Sequence, residues 1–321
     1  MSANSKFMFW ILPIAGILFM SYILPHLPQE FFVGTAYAAY GIEQGYSSYP
    51  EFVYNTFLPQ SEQTSAQPVQ KLTNTPAVTI SHNKTQTYNP DYTKIAITNE
   101  TSLSIDILKE MQNYTPPVKK TDAPQILIVH THATESFSGT DNRTTDCTKN
   151  MVAIGQRLAE KLSGYGFSVL HDKTLHDYPN YNGSYVASAQ TVEQTLSKYP
   201  SIEIVLDLHR DGIAMPDGTK VPVLSVQNGT RVAQMMLVVG TNTNLEHANW
   251  KENLKFAVGL YAATEQLFPG VMRPLNIRKE RFNQQLSSKS LIVEIGSNGN
   301  TLQEAQNAAD VLAEAIHTYI R

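Results

Sequence analysis

The sequence predicts an α/β domain on a mainly parallel or mixed sheet flanked by helices. Three observations predict it. Short β-branched apolar runs alternate with longer segments of helical spacing from Gln125 to the C-terminus. The apolar runs have the length of buried strands. Three of them end in His or Glu, and α/β sheets gather ligands and catalytic groups at the carboxyl ends of their strands.

Taken in order, Gln125–His132 is the first strong strand signal. Asn150–Leu162 then places Met151, Ile154, Leu158 and Leu162 at helical spacing, with Gly164 and Gly166 to end the helix. Phe167–Leu170 predicts a short strand, Tyr185–Tyr199 a helix and Ile202–Leu208 another buried strand. Residues 221–240 predict a hairpin turning at Asn228-Gly229, a pair that tolerates the positive φ of a two-residue turn. Trp250–Phe268 reads as a long helix and Ser290–Ile295 as a strand. The last helix opens at Thr301, with Glu304 as its capping-box partner, and runs to Ile320. These elements place the α/β domain at residues 120–321.

Upstream, Ile95–Met111 predicts a strand and then a helix, and Pro116, Pro117 and Pro124 mark the approach to the domain. Residues 29–119 form a juxtamembrane segment and a polar linker. The first part is rich in Tyr and Phe. The stretch 59–92 is dense in Gln, Ser, Thr, Asn and Pro and cannot bury enough surface to offset its ordering entropy. Residues 1–28 read as a cytoplasmic tip and transmembrane anchor, because Phe7 to Pro25 carry no charged side chain. That length of about 19 residues suits a bilayer core and exceeds the roughly 7–15 apolar residues of a signal peptide. A cleaved signal peptide, with Ala36, Ala38 and Ala39 near the cut, is the alternative. Lys6 sets a cytoplasmic N-terminus. The expected localisation is the cell membrane, single-pass, with the α/β domain extracytoplasmic.

Composition narrows the chemistry. The formal charge of −4 and the lack of a Lys/Arg-rich block argue against nucleic acid as a partner. A single cysteine, Cys147, excludes an intramolecular disulfide, a Cys-cluster zinc site and iron–sulfur ligation. Any metal must be held by His, Asp or Glu. Cys147 sits in a polar loop without a basic partner to lower its pKa, which argues against a thiol mechanism.

The polar groups concentrate at three strand ends: Val129-His130-Thr131-His132-Ala133-Thr134-Glu135, Asp207-Leu208-His209-Arg210-Asp211 and Val293-Glu294-Ile295. Period-two geometry puts His130 and His132 on one face, with Glu135 able to fold back. Two histidines and a glutamate are a known catalytic zinc set that leaves a fourth position open, and His209 is the natural third ligand, arriving from another strand. Asp207 and Asp211 are placed to orient it. Glu294, inside an apolar strand, is costly to bury without a partner. It reads as a general base whose pKa burial raises. His171, His176, His247 and His317 read as ordinary surface or structural groups.

At these residues the chain resembles the stage II sporulation protein P family of endospore-forming bacteria. The resemblance rests on His130-Thr131-His132-Ala133-Thr134-Glu135-Ser136-Phe137, Asp207-Leu208-His209-Arg210-Asp211, Phe282-Asn283-Gln284-Gln285-Leu286 and Ile292 through Leu302, and it covers residues 120–321 in order. Ile295-Gly296-Ser297-Asn298 departs from the usual Gly-Asn start of its loop. The resemblance implies a zinc amidase fold, with Zn2+ held by His130, Glu135 and His209, His132 as the alternative ligand and Glu294 as the catalytic carboxylate. It implies peptidoglycan as substrate, cleaved between N-acetylmuramic acid and L-alanine, and cross-link endopeptidase action besides. It also implies work in forespore engulfment beside a lytic transglycosylase and membrane-protein partners. Arg210 or Asn283 is placed to steady the oxyanion or the lactyl group. A catalytically silent wall-binding protein and a zinc carboxypeptidase acting on wall peptides are the rival readings.

Overall fold

Ile126–Val129 is apolar at every position and buried at every position, which a strand allows only when both faces of its sheet are covered. The computed structural model describes residues 67–68, 89–114 and 121–320. The expected anchor (1–28), its cleavage alternative and the juxtamembrane segment lie outside them. Among the described residues no helix is long and apolar enough to cross a membrane.

Ten strands are described: β1 (Gln67–Pro68), β2 (Ile97–Asn99), β3 (Ile126–Val129), β4 (Val169–His171), β5 (Ile204–Asp211), β6 (Leu224–Gln227), β7 (Thr230–Ala233), β8 (Met235–Gly240), β9 (Leu275–Arg278) and β10 (Ser290–Ser297). Eight form one sheet in the order β1-β4-β3-β5-β10-β8-β9-β2. β4, β3, β5 and β10 run parallel. β8 is antiparallel to β10, and β9 and β2 follow the direction of β8. The sheet is therefore mixed. Five helices are described: α1 (Ile107–Glu110), α2 (Met151–Gly164), α3 (Ser184–Lys198), α4 (Trp250–Leu267) and α5 (Leu302–Tyr319).

Local chemistry starts these helices where the sequence predicts. The Asn150 side chain accepts from the Val152 amide to cap α2. Thr301 and Glu304 cap α5 reciprocally, as their spacing predicts. Arg157 of α2 grips Asp310 of α5 with two parallel bonds of 2.6 and 2.7 Å, tying the two helices together.

Three expectations are corrected. The Asn228-Gly229 turn forms, with φ of 49° and 80°, and joins β6 to β7 in register Gln227↔Thr230. The chain does not stop at that hairpin, however. After Gln234 it enters the main sheet as β8, because an apolar strand gains more by pairing with β10 than by staying on a two-stranded ribbon. The domain also begins before residue 120. β2 pairs with β9 at the sheet edge, and Ile107 and Met111 lie in the main core. Finally, Gln67 and Pro68, within the expected linker, pair with β4. β9 was too short and too mixed in character, Leu-Asn-Ile-Arg, to stand out by pattern.

Candidate metal and acid–base centre

β3 ends at Val129, and residues 131–134 turn out of the sheet. Alternation of faces holds only within a strand, so His130 and His132 do not share a setting. His130 is fully buried. Its Nδ1 lies 3.2 Å from the Leu208 carbonyl and its Nε2 2.9 Å from His171 Nε2. A carbonyl can only accept, so Nδ1 carries the hydrogen and Nε2 receives one from His171. Both nitrogens are thus engaged, and burial holds the imidazole near a pKa of about 4. The expected ligand His130 has both ring nitrogens engaged in this structure. It is half of a buried His130–His171 pair packed under Gly155 of α2, where any Cβ would collide with both rings. His171 is likewise no surface group, and His176 and His247 are buried too. His176 holds the turn, its Nδ1 2.8 Å from the His130 carbonyl.

His132 stands in the site instead. Its ring packs edge-on to His209 with centroids 5.2 Å apart, and it stacks on Tyr181 at 4.4 Å. Tyr181 Oη is 3.2 Å from His132 Nε2 and Ser184 Oγ 3.5 Å from Nδ1. Burial, followed by the charge of His209, holds its pKa well below the ordinary value, so the imidazole is neutral. The turn that presents it is fixed by Asp177, which accepts from the Thr134 amide and hydroxyl.

His209 comes from β5. Its Nε2 lies 3.0 Å from Asp207 Oδ1, and its Nδ1 faces Glu135 Oε2 at 3.8 Å. Asp207 also accepts from the Thr131 amide (2.8 Å) and hydroxyl (2.6 Å). Burial opposes its charge, but His209 and the Thr131 bonds outweigh burial and hold it at about 2. Burial likewise opposes the charge on His209, and the carboxylates of Asp207, Glu135 and Glu294 overcome it, raising the imidazole to about 10. The expected orienting role of Asp207 has its contact here. Asp211 instead pairs with Arg273 at 2.8 Å.

Glu135 accepts from the Arg210 amide at 3.0 Å. Burial raises its pKa against the pull of His209 and Arg210. Arg210 donates from Nε to the Ser136 carbonyl (2.9 Å) and from Nη2 to the Asn142 carbonyl (2.8 Å). These bonds stitch the loop that carries Glu135 to β5. Asn283 similarly donates to the Tyr185 carbonyl and to Ser188, holding α3.

Glu294 completes the group. It lies opposite His209 on the parallel neighbour β10. Its Oε2 is buried and has no hydrogen-bond partner among the described residues. Burial raises its pKa to about 8, with Glu135 and Asp211 adding to the shift. Beside it opens a cleft of about 400 Å³.

The four residues His132, Glu135, His209 and Glu294 thus meet at one sheet edge. Two imidazoles and a carboxylate are the donor set of a catalytic zinc site, and the orphaned oxygen of Glu294 is an acceptor in want of a donor. Among the described residues no group of three or more His, Cys, Asp or Glu side chains stands arranged to hold a metal ion. Tyr181 and Tyr185 were invisible to motif reading because they come from the segment before and within α3 and reach His132 only through the fold. Cys147 is exposed.

Comparison with known proteins gives the following. The family model described as stage II sporulation protein P matches residues 46–317. Stage II sporulation protein P of Bacillus subtilis (strain 168) is 27% identical over 217 residues, which is 62% of this chain and 52% of the relative. The chain thus spans about half the length of the curated relative it matches. Among solved structures, the N-acetylmuramoyl-L-alanine amidase from Clostridium difficile 630 is 11% identical, with 62% of this chain and 98% of that one covered and a TM-score of 0.39. The CwlD amidase from Clostridioides difficile, in complex with the GerS lipoprotein, is also 11% identical, with 61% and 96% covered and a TM-score of 0.41.

Proposed function

This chain belongs to the stage II sporulation protein P family, and from that premise we propose that it is a zinc-dependent peptidoglycan amidase that works in sporulation. The observation that carries the proposal is the register of Glu294 against His209, with a buried, unpartnered carboxylate oxygen set beside two imidazoles and a second acid.

His132, Glu135 and His209 are the residues that would hold the ion. Each has a reason to be a ligand. His132 is kept neutral by burial. Asp207 faces Nε2 of His209 and so leaves Nδ1 turned toward Glu135. Arg210 fixes the Glu135 loop. Bound there, zinc supplies a Lewis acid for the scissile carbonyl.

The chain's own acid–base work falls to Glu294. With a pKa of about 8 it exchanges protons readily near neutrality. Its Oε2 accepts a proton from the attacking water as the water oxygen bonds to the carbonyl carbon. The same proton passes to the nitrogen of the stem peptide's first residue as the C–N bond breaks. The products are a free lactyl carboxylic acid on the glycan and a free amine on the peptide. No proton is gained or lost overall.

On the same reading the apolar segment 7–25 anchors the chain in the cell membrane, with the catalytic domain outside and engulfment proteins as partners. The deciding experiment digests purified sacculi with the full chain, with and without a chelator, and weighs the products. Release of intact stem peptides, abolished by chelation and restored by zinc, is the expected result. Loss of single terminal residues would make the enzyme a carboxypeptidase, and no release would make it a wall-binding protein.

A further inference from the structure

β10 departs from its parallel neighbour directly after Glu294. Glu294 is level with His209, and pairing resumes at Ser297 with Asp211, so three steps along β10 match two along β5. One extra residue in a strand is a bulge, which bends the strand and re-aims the side chains beside it. Gly296 sits in this bulge at a φ of 71°. A Cβ there would lie 2.9 Å from Asn300 Oδ1 and 3.0 Å from the Ala233 Cβ. The bulge is therefore shaped around one side-chain amide, that of Asn300.

Asn300 is fully buried. Its Oδ1 accepts from the amides of Ser297 (2.9 Å) and Val223 (3.1 Å). Its Nδ2 donates to the Val223 carbonyl (3.0 Å) and to Glu304 Oε2 (3.0 Å). Two acceptances and two donations exhaust what a primary amide can make. A carboxylate at this position would lose both donors and face Glu304, and an alanine would orphan buried backbone groups. The backbone carbonyl of Asn300 is engaged as well, accepting from the Ser138 amide at 2.8 Å. Ser297 lies three residues past Glu294, and Ser138 three past Glu135. One residue thus joins the bulge that follows one acid to the loop that follows the other.

We propose that Asn300 is the positioning residue that holds Glu294 and Glu135 in fixed relation. It acts through the backbone of Ser297 and Ser138. The plain alternative is a helix-start residue that only adds stability, since Asn300 directly precedes the N-cap of α5, Thr301. Two details favour positioning. The reciprocal cap of Thr301 and Glu304 is complete without Asn300. Its bonds to Ser297 and Ser138 lead toward the acids and away from α5. The inference rests on the reading of Glu294 and Glu135 as parts of one reacting centre.

The test reads position without turnover, by amide hydrogen exchange and zinc affinity of the full chain. Asn300→Ala releases the 297–300 loop. It is expected to speed exchange of the Ser138 amide and of the Arg210 amide, which is bonded to Glu135, by at least roughly tenfold, the worth of about one hydrogen bond. Amides inside β3 keep their protection. The same variant should lower zinc affinity about 10–100-fold. Asn307→Ala is the control. It removes a bond from α5 to β7, Asn307 Nδ2 to the Arg231 carbonyl at 2.8 Å, and should cost stability alone. If Asn300→Ala does not fold, the unsubstituted chain carries the test. Coupling between sites is reciprocal, so zinc should slow exchange of the Val223 amide, which is bonded to Asn300. A lowered urea midpoint for Asn300→Ala, with zinc affinity and exchange at Ser138 and Arg210 unchanged, makes Asn300 a stabiliser only and overturns the inference. A Val223 amide indifferent to bound zinc overturns it too. Faster exchange at Ser138 and Arg210 in a chain that takes up no zinc supports positioning and removes only the metal reading.

Discussion

Glu294 and His209 face each other in register on adjacent parallel strands, so the acid with an orphaned oxygen and the imidazole braced by Asp207 are fixed by the sheet itself. Neither depends on a flexible loop for its position. Backbone hydrogen bonds set their spacing, which is the rigidity a site of chemistry requires.

The first prediction tests the acid. Glu294→Gln keeps the shape and removes the proton acceptor. Sacculus digestion is expected to fall by about 10²–10⁴-fold, the usual worth of a positioned general base, with zinc content unchanged. Elemental analysis beside the digestion assay checks both halves, and undiminished digestion would refute the role.

A second prediction separates the two neighbouring histidines. His132→Ala should weaken zinc binding by on the order of a hundredfold or more, since loss of an outer-shell partner alone costs about 10–100-fold. His130→Ala should retain zinc and instead lower stability, because it leaves His171 without its partner inside the core. Competition titration with a chelator, alongside urea melts, reads the two effects apart. The reverse pattern would restore His130 as the ligand.

Asp207→Asn is the corresponding test of orientation. The carboxylate faces His209 Nε2 and is held by Thr131. An amide there should cost zinc affinity about 10–100-fold while the fold persists. An affinity unchanged by the substitution would make the Asp207–His209 contact a bystander.

Gly155→Ala probes the packing under α2. A Cβ at that position collides with the rings of His130 and His171, which sit among backbone and cannot simply swing aside. Overpacking of this kind costs about 1–3 kcal/mol. Chemical denaturation should show that loss, whereas Gly164→Ala, where nothing lies within 4 Å, should not.

The metal-free chain should also be acid-sensitive. Burial holds His130 and His247 at about 4, and His132 and His171 well below the ordinary value. Unfolded, these imidazoles bind protons near pH 6.5. Their contribution to stability is therefore full above about 6.5 and is lost as the pH falls toward 4. Glu135 and Glu294, both raised, act in the opposite sense, but they are two against four, and His209, raised to about 10, is fully stabilising below about 6.5 and so changes little across this window. The urea midpoint at pH 6.5 should exceed that at pH 4.5, and equal midpoints would mean that the histidines are not buried neutral.

The alternation of apolar runs and helical faces was legible because each element carries its own signal: Asn150, Thr301 and Glu304 at helix starts, Asn228-Gly229 at a turn, four buried apolar residues in β3. The three polar strand ends were legible for the same reason. The antiparallel half of the sheet was not. β2 and β9 have three and four residues of mixed character, and they become strands only by pairing with each other and with β8. The choice between His130 and His132 was not legible either, since period-two reasoning extends one residue too far once β3 stops at Val129.

By itself, then, the sequence determined which residue types reach the sheet edge and which segments are helix or strand, because propensity, capping and apolar period are local properties of the chain. The tertiary structure decided which imidazole meets His209, that Arg210 serves the loop, and that Glu294 looks onto a cleft floored by four strands. Those outcomes depend on contacts between residues more than forty positions apart, such as His130 with His171 and Glu294 with His209, and no local pattern encodes them.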